Sequence, residues 1–167
     1  MSFLPVFFHG LGKASQGQGV WLWVTSGKIG SGEALEGSFM KHAILILVGG
    51  IYLLTAVFMF VAPQAFYDTT PGVSMMGPFN QHFIRDAALA FLVSGSALVW
   101  GARKRDRTAA IIGAAWPAMH AAFHIWLWVA RGVPLDQVAF VNAFGIQLPA
   151  WLALASAVRL KETRRHG

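Results

Sequence analysis

The sequence predicts an all-α membrane protein, a four-transmembrane-helix up-down bundle with N-in/C-in topology and a Gly-rich N-terminal extension. Three observations carry that prediction. Four segments are apolar and long enough to cross a bilayer, basic residues alternate from one connection to the next, and two of the connections are short.

Hydrophobic residues make up 56% of the 167 and charged residues 12%, with a mean hydropathy of +0.54. An ordinary soluble domain is about 45–50% apolar and about 25% charged. Residues 43–62 hold no charge, and a crossing takes about 20 residues. Residues 108–130 and 138–158 contain no Asp, Glu, Lys or Arg, and 82–102 carries Arg85 and Asp86 near its start and is apolar afterwards. A soluble bundle would need polar stripes that these helices lack.

The net charge of +6 is unevenly spread. Lys41 precedes the first span, Arg103, Lys104, Arg105 and Arg107 fill the link between the second and third, and Arg159, Lys161, Arg164 and Arg165 follow the fourth. Residues 64–81 hold no Lys or Arg, and Arg131 is the one basic residue between the third and fourth spans. Cytoplasmic loops concentrate Lys and Arg, so both termini and the 103–107 loop are expected in the cytoplasm. The basic residues then meet anionic lipid headgroups, and nucleic acid is not an expected partner. The chain has no cysteine, which excludes disulfides, thiolate ligands and cysteine nucleophiles. The apolar stretch 3–8 is too short for a signal peptide and lacks a basic lead.

Residues 1–39 are rich in glycine and carry two aromatic patches, Phe7-Phe8 and Trp21-Leu22-Trp23, suited to the headgroup level. Met40-Lys41 opens the first span as a bacterial inner-membrane protein begins. The segment therefore reads as an upstream extension, either an interfacial element or a non-native start, followed by the transmembrane domain 40–160 and a basic tail 161–167. The 63–81 loop holds Pro63, Pro71, Gly72, Gly77 and Pro78 and is expected to be largely non-helical. In the 131–137 link, Pro134 and Asp136 suit the start of the last helix. Short links favour antiparallel neighbours, and small residues favour close packing: Gly49-Gly50, Ser94-Gly95-Ser96, and Ala110, Ala114, Ala118 and Ala122 at four-residue spacing.

Ionisable groups inside hydrocarbon are rare and mark partners, ligands or cavities. Here they are His82, Arg85, Asp86, His120 and His124. Counting about 1.5 Å per residue from each surface puts His124, Asp86 and Asn142 in one layer of the outer half, with His120 and Gln147 beneath and His82 above. His120 and His124 are i,i+4 and share a helical stripe, as do His82 and Asp86. Two imidazoles so spaced can share a transition metal such as Zn or Cu, with His82 and Asp86 completing the set; a bis-histidine haem would draw its ligands from opposing helices. Pro117, about one turn below His120, frees the Gly113 carbonyl and can kink the helix. The favoured reading is structural: an Arg85–Asp86 charge pair near the interface and a hydrogen bond from His124 to Asn142 across the bundle. Ser94 and Ser96 lack a base at compatible depth, so hydrolase chemistry is not expected. Met75-Met76 reads as plain apolar contact, and His42 and His166 as surface residues.

The run Pro78-Phe79-Asn80-Gln81-His82-Phe83-Ile84-Arg85-Asp86, followed by an Ala-rich helix and His120-x3-His124, resembles a family of small bacterial four-span membrane proteins with a P-F-N-x-H-x-x-R-D motif. The likeness covers residues 40–160. It implies a bacterial plasma-membrane location and the four-helix bundle, and it brings no activity with it. The function expected on these grounds is that of a structural or accessory subunit, in contact with other membrane subunits or a second copy. A metal- or haem-binding protein with a site open to the outer face is the first alternative, and passage of a small solute or protons the second.

Overall fold

The structure is a computed structural model that describes residues 26–161, with side chains from residue 37 onward. Most of the Gly-rich extension and nearly all of the basic tail lie outside the described residues. The chain divides into two compact units, Met1–Leu35 and Glu36–Gly167. In the first, the described residues begin at Ser26 and are helical. The second holds four helices long and apolar enough to cross a membrane, at Gly37–Val61, Gln81–Lys104, Arg107–Ala130 and Gln137–Val158.

The helix carrying the first span is α1 (Ser26–Val61). It ends where Pro63 withdraws an N–H from the ladder, and the same proline opens the short helix α2 (Pro63–Thr69) from its first position. The 63–81 connection, expected to be largely non-helical, therefore contains about two helical turns, followed by a 3-10 turn at Ser74–Met76. Gly72 (φ 93°) and Gly77 (φ 141°) supply the left-handed backbone between these pieces. The phenol of Tyr67 donates to the Gly77 carbonyl at 2.7 Å, tying the loop together.

Asn80 starts α3 (Gln81–Lys104) by accepting the Phe83 N–H at 3.1 Å. This helix stops at Arg105 in left-handed conformation (φ 52°), and Asp106 returns its N–H to the Gly101 carbonyl at 2.9 Å. Asp106 at once caps α4 (Arg107–Ala130) through the Ala109 N–H at 3.0 Å. A two-residue turn made of one αL residue and one N-cap thus reverses the chain. Contacts then climb one helix as they descend the other. A Cβ on Gly101 would sit 2.6 Å from the Ala110 nitrogen, and one on Gly113 2.8 Å from the Leu98 nitrogen. Likewise α1 approaches α3 at Gly49, where a Cβ would lie 3.0 Å from the Gly95 carbonyl. Glycine is required at these crossings because backbone meets backbone.

Leu45, Val48, Tyr52, Leu98, Ala114 and Ala153 belong to one buried cluster joining α1, α3, α4 and the last helix. Of the alanines at four-residue spacing, Ala110, Ala114 and Ala118 are buried and Ala122 is exposed. A step of four residues overshoots a full turn by about 40°, so the stripe rotates out of the interface.

The last span departs from a regular helix. It runs as α5 (Gln137–Val141), a π-helical turn at Asn142–Gln147, and α6 (Leu148–Val158). The cause is in the sequence: Pro149 has no N–H and its ring would strike the Gly145 carbonyl in an α-helix. The wider π turn moves that carbonyl away. Such bulges recur at functional positions.

Candidate functional site

Helix α4 presents Trp116, His120 and His124 at successive four-residue steps, so the three rings rise along one stripe. The indole of Trp116 lies face to face with the His120 imidazole, 5.0 Å between centroids and 8° between planes. His120 and His124 follow at 4.5 Å and 67°. From α3, Phe91 sets its edge against Trp116 at 4.9 Å and against His120 at 6.3 Å. From α1, Tyr52 packs on Phe91 at 5.3 Å. Phe123 stands edge-on to His124 at 6.2 Å and 87°. Three helices thus build an aromatic cluster that ends in the two imidazoles.

Both imidazoles are half-buried. Among the described residues neither ring nitrogen of either histidine has a hydrogen-bond partner, and the single buried side-chain polar atom without one is His42 Nε2. The nitrogens of His120 and His124 therefore reach the molecular surface. His42, expected at the surface, is instead half-buried and holds the Ser38 carbonyl through Nδ1 at 2.7 Å. Four-residue spacing brings that carbonyl within reach of a helical side chain.

The other candidate polar groups do not join the two histidines. His82 and Asp86 form their own i,i+4 pair, Nδ1 to Oδ1 3.5 Å, and their side chains are 88% and 59% exposed. Arg85 reaches neither: its Nε donates to the Phe60 carbonyl at 3.2 Å, its guanidinium lies 5.5 Å from the Phe60 ring centre, and it donates to Gln81 once that amide oxygen is turned toward it. Among the described residues no three of His, Asp and Glu come close enough to hold one metal ion. The set of His82, Asp86, His120 and His124 is thus laid out as two separate pairs. Depth counting ordered these residues along the bilayer normal but left their azimuth open.

Asn142 and Gln147 serve a different face of α4. Gln147 Nε2 donates to the Ala121 carbonyl at 2.8 Å and to Asn142 Oδ1 at 3.0 Å, and the Trp151 indole donates to Gln147 Oε1 at 2.9 Å. The expected His124–Asn142 bond is replaced by this set. Gln147 sits on the π turn, which swings its amide onto α4.

Phe91 and Tyr52 carry no signal in the sequence, and Trp116 reads there only as a tryptophan that needs local packing to explain it. Trp116 carried the one available signal, an aromatic four residues before His120 on the same stripe. No protein-family model, curated protein or solved structure matches the chain.

Proposed function

We propose that this chain is a multi-pass protein of the bacterial plasma membrane, with both termini in the cytoplasm, that serves as an accessory subunit of a membrane complex. Its own chemistry is to bind a small ligand at His120 and His124. One observation carries this: two half-buried imidazoles at membrane depth whose nitrogens find no partner among the described residues. A polar group left unpaired in hydrocarbon is costly, so a ligand that satisfies both rings accounts for their presence. Two imidazoles with no adjoining nucleophile or carboxylate among the described residues read as a binding element rather than a reaction centre. The basic residues at 103–107 and after the fourth span support the orientation, and the Pro78–Asp86 run supports the bacterial plasma membrane by its resemblance.

Metal binding is the second reading. A ring centroid lies roughly 3 Å from an ion that its nitrogen holds, given bonds of about 2.0–2.1 Å. Two rings 4.5 Å apart can therefore meet one ion side by side. They cannot lie on opposite faces of one haem iron, which would set their centroids roughly 6 Å apart.

The test has two parts. Reporter fusions at Arg105 and Gly72 are expected on opposite sides of the membrane; both in the cytoplasm would overturn the topology. Mild-detergent purification from native membranes is expected to bring along further membrane subunits. A chain that purifies alone under every mild condition would overturn the accessory role.

A further inference from the structure

The geometry points to a specific ligand class for the His120–His124 pair: we infer that it binds a flat, uncharged, bilayer-dissolved ring bearing oxygen acceptors, of the quinone–quinol type. This rests on the reading of that pair as a ligand-binding element.

The absence of charge is the first argument. Span α4 holds no Asp, Glu, Lys or Arg between residues 108 and 130. The nearest charged candidates on α3 are already engaged, Asp86 with His82 and Arg85 with the Phe60 carbonyl. A divalent cation held here by two imidazoles would carry its charge into hydrocarbon with no carboxylate to offset it, at a cost that buried charge rarely recovers. A charged solute meets the same penalty. A neutral ligand does not.

Shape is the second. The imidazoles extend a cluster of flat rings rather than standing alone: Trp116 lies parallel to His120 at 5.0 Å, and Phe91 and Phe123 stand edge-on. Aromatic surfaces prefer offset-stacked or edge-to-face partners, so the cluster favours another planar ring over a branched or flexible one. Hydrogen bonding is the third. A neutral imidazole offers one N–H donor and one bare acceptor nitrogen. A pair of them can donate to the carbonyls of a quinone and accept from the hydroxyls of the matching quinol. The half-buried rings sit within a span, so a ligand dissolved in the bilayer can approach without crossing water.

The probe is a decyl-substituted benzoquinone, titrated into the full chain reconstituted in lipid nanodiscs and read by quenching of tryptophan fluorescence. Saturable quenching is expected, with affinity falling about tenfold in His120→Phe and again in His124→Phe, the equivalent of about 1.4 kcal/mol for each lost hydrogen bond. Phenylalanine keeps the ring and removes the nitrogens, so a folded protein is retained. Trp116→Leu is expected to weaken binding while leaving both imidazoles in place, and His82→Phe to leave it unchanged. Quenching that rises linearly with probe, or saturable binding indifferent to both histidine variants, overturns the quinone assignment. Elemental analysis and a visible spectrum of the same samples separate the two levels of the claim. Stoichiometric metal or a Soret band lost in the histidine variants would replace the quinone and preserve a ligand at the pair. Neither metal, haem nor quinone would remove the ligand altogether.

Discussion

Arg85 on α3 donates from Nε to the carbonyl of Phe60 at 3.2 Å, and its guanidinium stands 5.5 Å from the Phe60 ring centre. The last carbonyls of a helix lack intrahelical partners, and the C-terminal end of α1 carries the negative end of its dipole. A cation held there satisfies one carbonyl and the dipole together. Arg85 is in this sense a cap on a neighbouring helix. Arg85→Met is expected to lower stability in detergent by about 1 kcal/mol, the net worth of an exposed hydrogen bond. Lysine lacks the planar fork, so Arg85→Lys should recover part of the loss at most. A melting temperature unchanged in Arg85→Met would refute the cap.

Asp86 belongs to His82 and not to His124. A double-mutant cycle of Asp86→Asn with His124→Phe should therefore be additive within about 0.5 kcal/mol, as distant sites are. Arg85 with Asp86 should behave likewise, because their side chains serve different partners. A coupling above about 1 kcal/mol in either cycle would show a contact between the pairs.

Gly49 and Gly50 are adjacent in sequence and opposite in demand. A Cβ on Gly49 would lie 2.8 Å from Val99 Cγ2 and 3.0 Å from the Gly95 carbonyl, whereas one on Gly50 meets nothing within 4 Å. Gly49→Ala should force α1 from α3 at a cost of about 1–3 kcal/mol. Gly50→Ala should gain about 0.5–1 kcal/mol from backbone entropy. Thermal melts of the two variants should shift in opposite directions; equal shifts would put the α1–α3 crossing elsewhere.

Val133 sits at φ 59° beside Gly132 at φ 83° in the link after α4. Left-handed backbone costs an L-residue about 1–2 kcal/mol, and a β-branched side chain tolerates it worst. Val133→Asn is expected to stabilise by about 1 kcal/mol, since Asn visits this region readily. A destabilised variant would mean that the exposed isopropyl group is held by something beyond the described contacts.

Much of the architecture was legible because lipid imposes one-dimensional rules. Length and hydropathy locate the four apolar segments, and residues 43–62, 82–102, 108–130 and 138–158 fall close to the observed helices. Asp136 suits a helix start by residue type and caps one; Asn80 and Asp106 cap α3 and α4 in the same way. The candidate site was less legible because it depends on rotation about the helix axes. Depth alone grouped Asp86, His124 and Asn142; azimuth sends Asp86 to His82 and Asn142 to Gln147. The π turn is hidden in the sequence because Pro149 stands inside an otherwise apolar run. Helix α2 is hidden because a proline such as Pro63 breaks a helix interior yet fits a first turn.

Asp136 links the third and fourth spans electrostatically. Its Oδ1 accepts the Ala139 N–H at 2.8 Å, and its Oδ2 meets the Arg131 guanidinium at 2.7 Å. The Ala139 bond first and the Arg131 bond second hold its carboxyl below the usual carboxylate range. A carboxylate whose pKa is depressed in the folded state stabilises above its unfolded pKa of about 3.9 and loses that contribution as pH falls through the folded value. Asp136→Asn keeps a capping oxygen and removes the titration and the ion pair. The melting temperature of the native chain should therefore exceed that of Asp136→Asn near neutrality, and the gap should close on acidification below about pH 4. Because other carboxylates titrate in both proteins, the difference between the two curves is the quantity to follow. Arg131→Gln should narrow the gap at neutral pH without abolishing it, since the Ala139 cap remains. A gap constant from pH 7 to pH 3 would mean that the carboxylate charge contributes nothing to holding this turn.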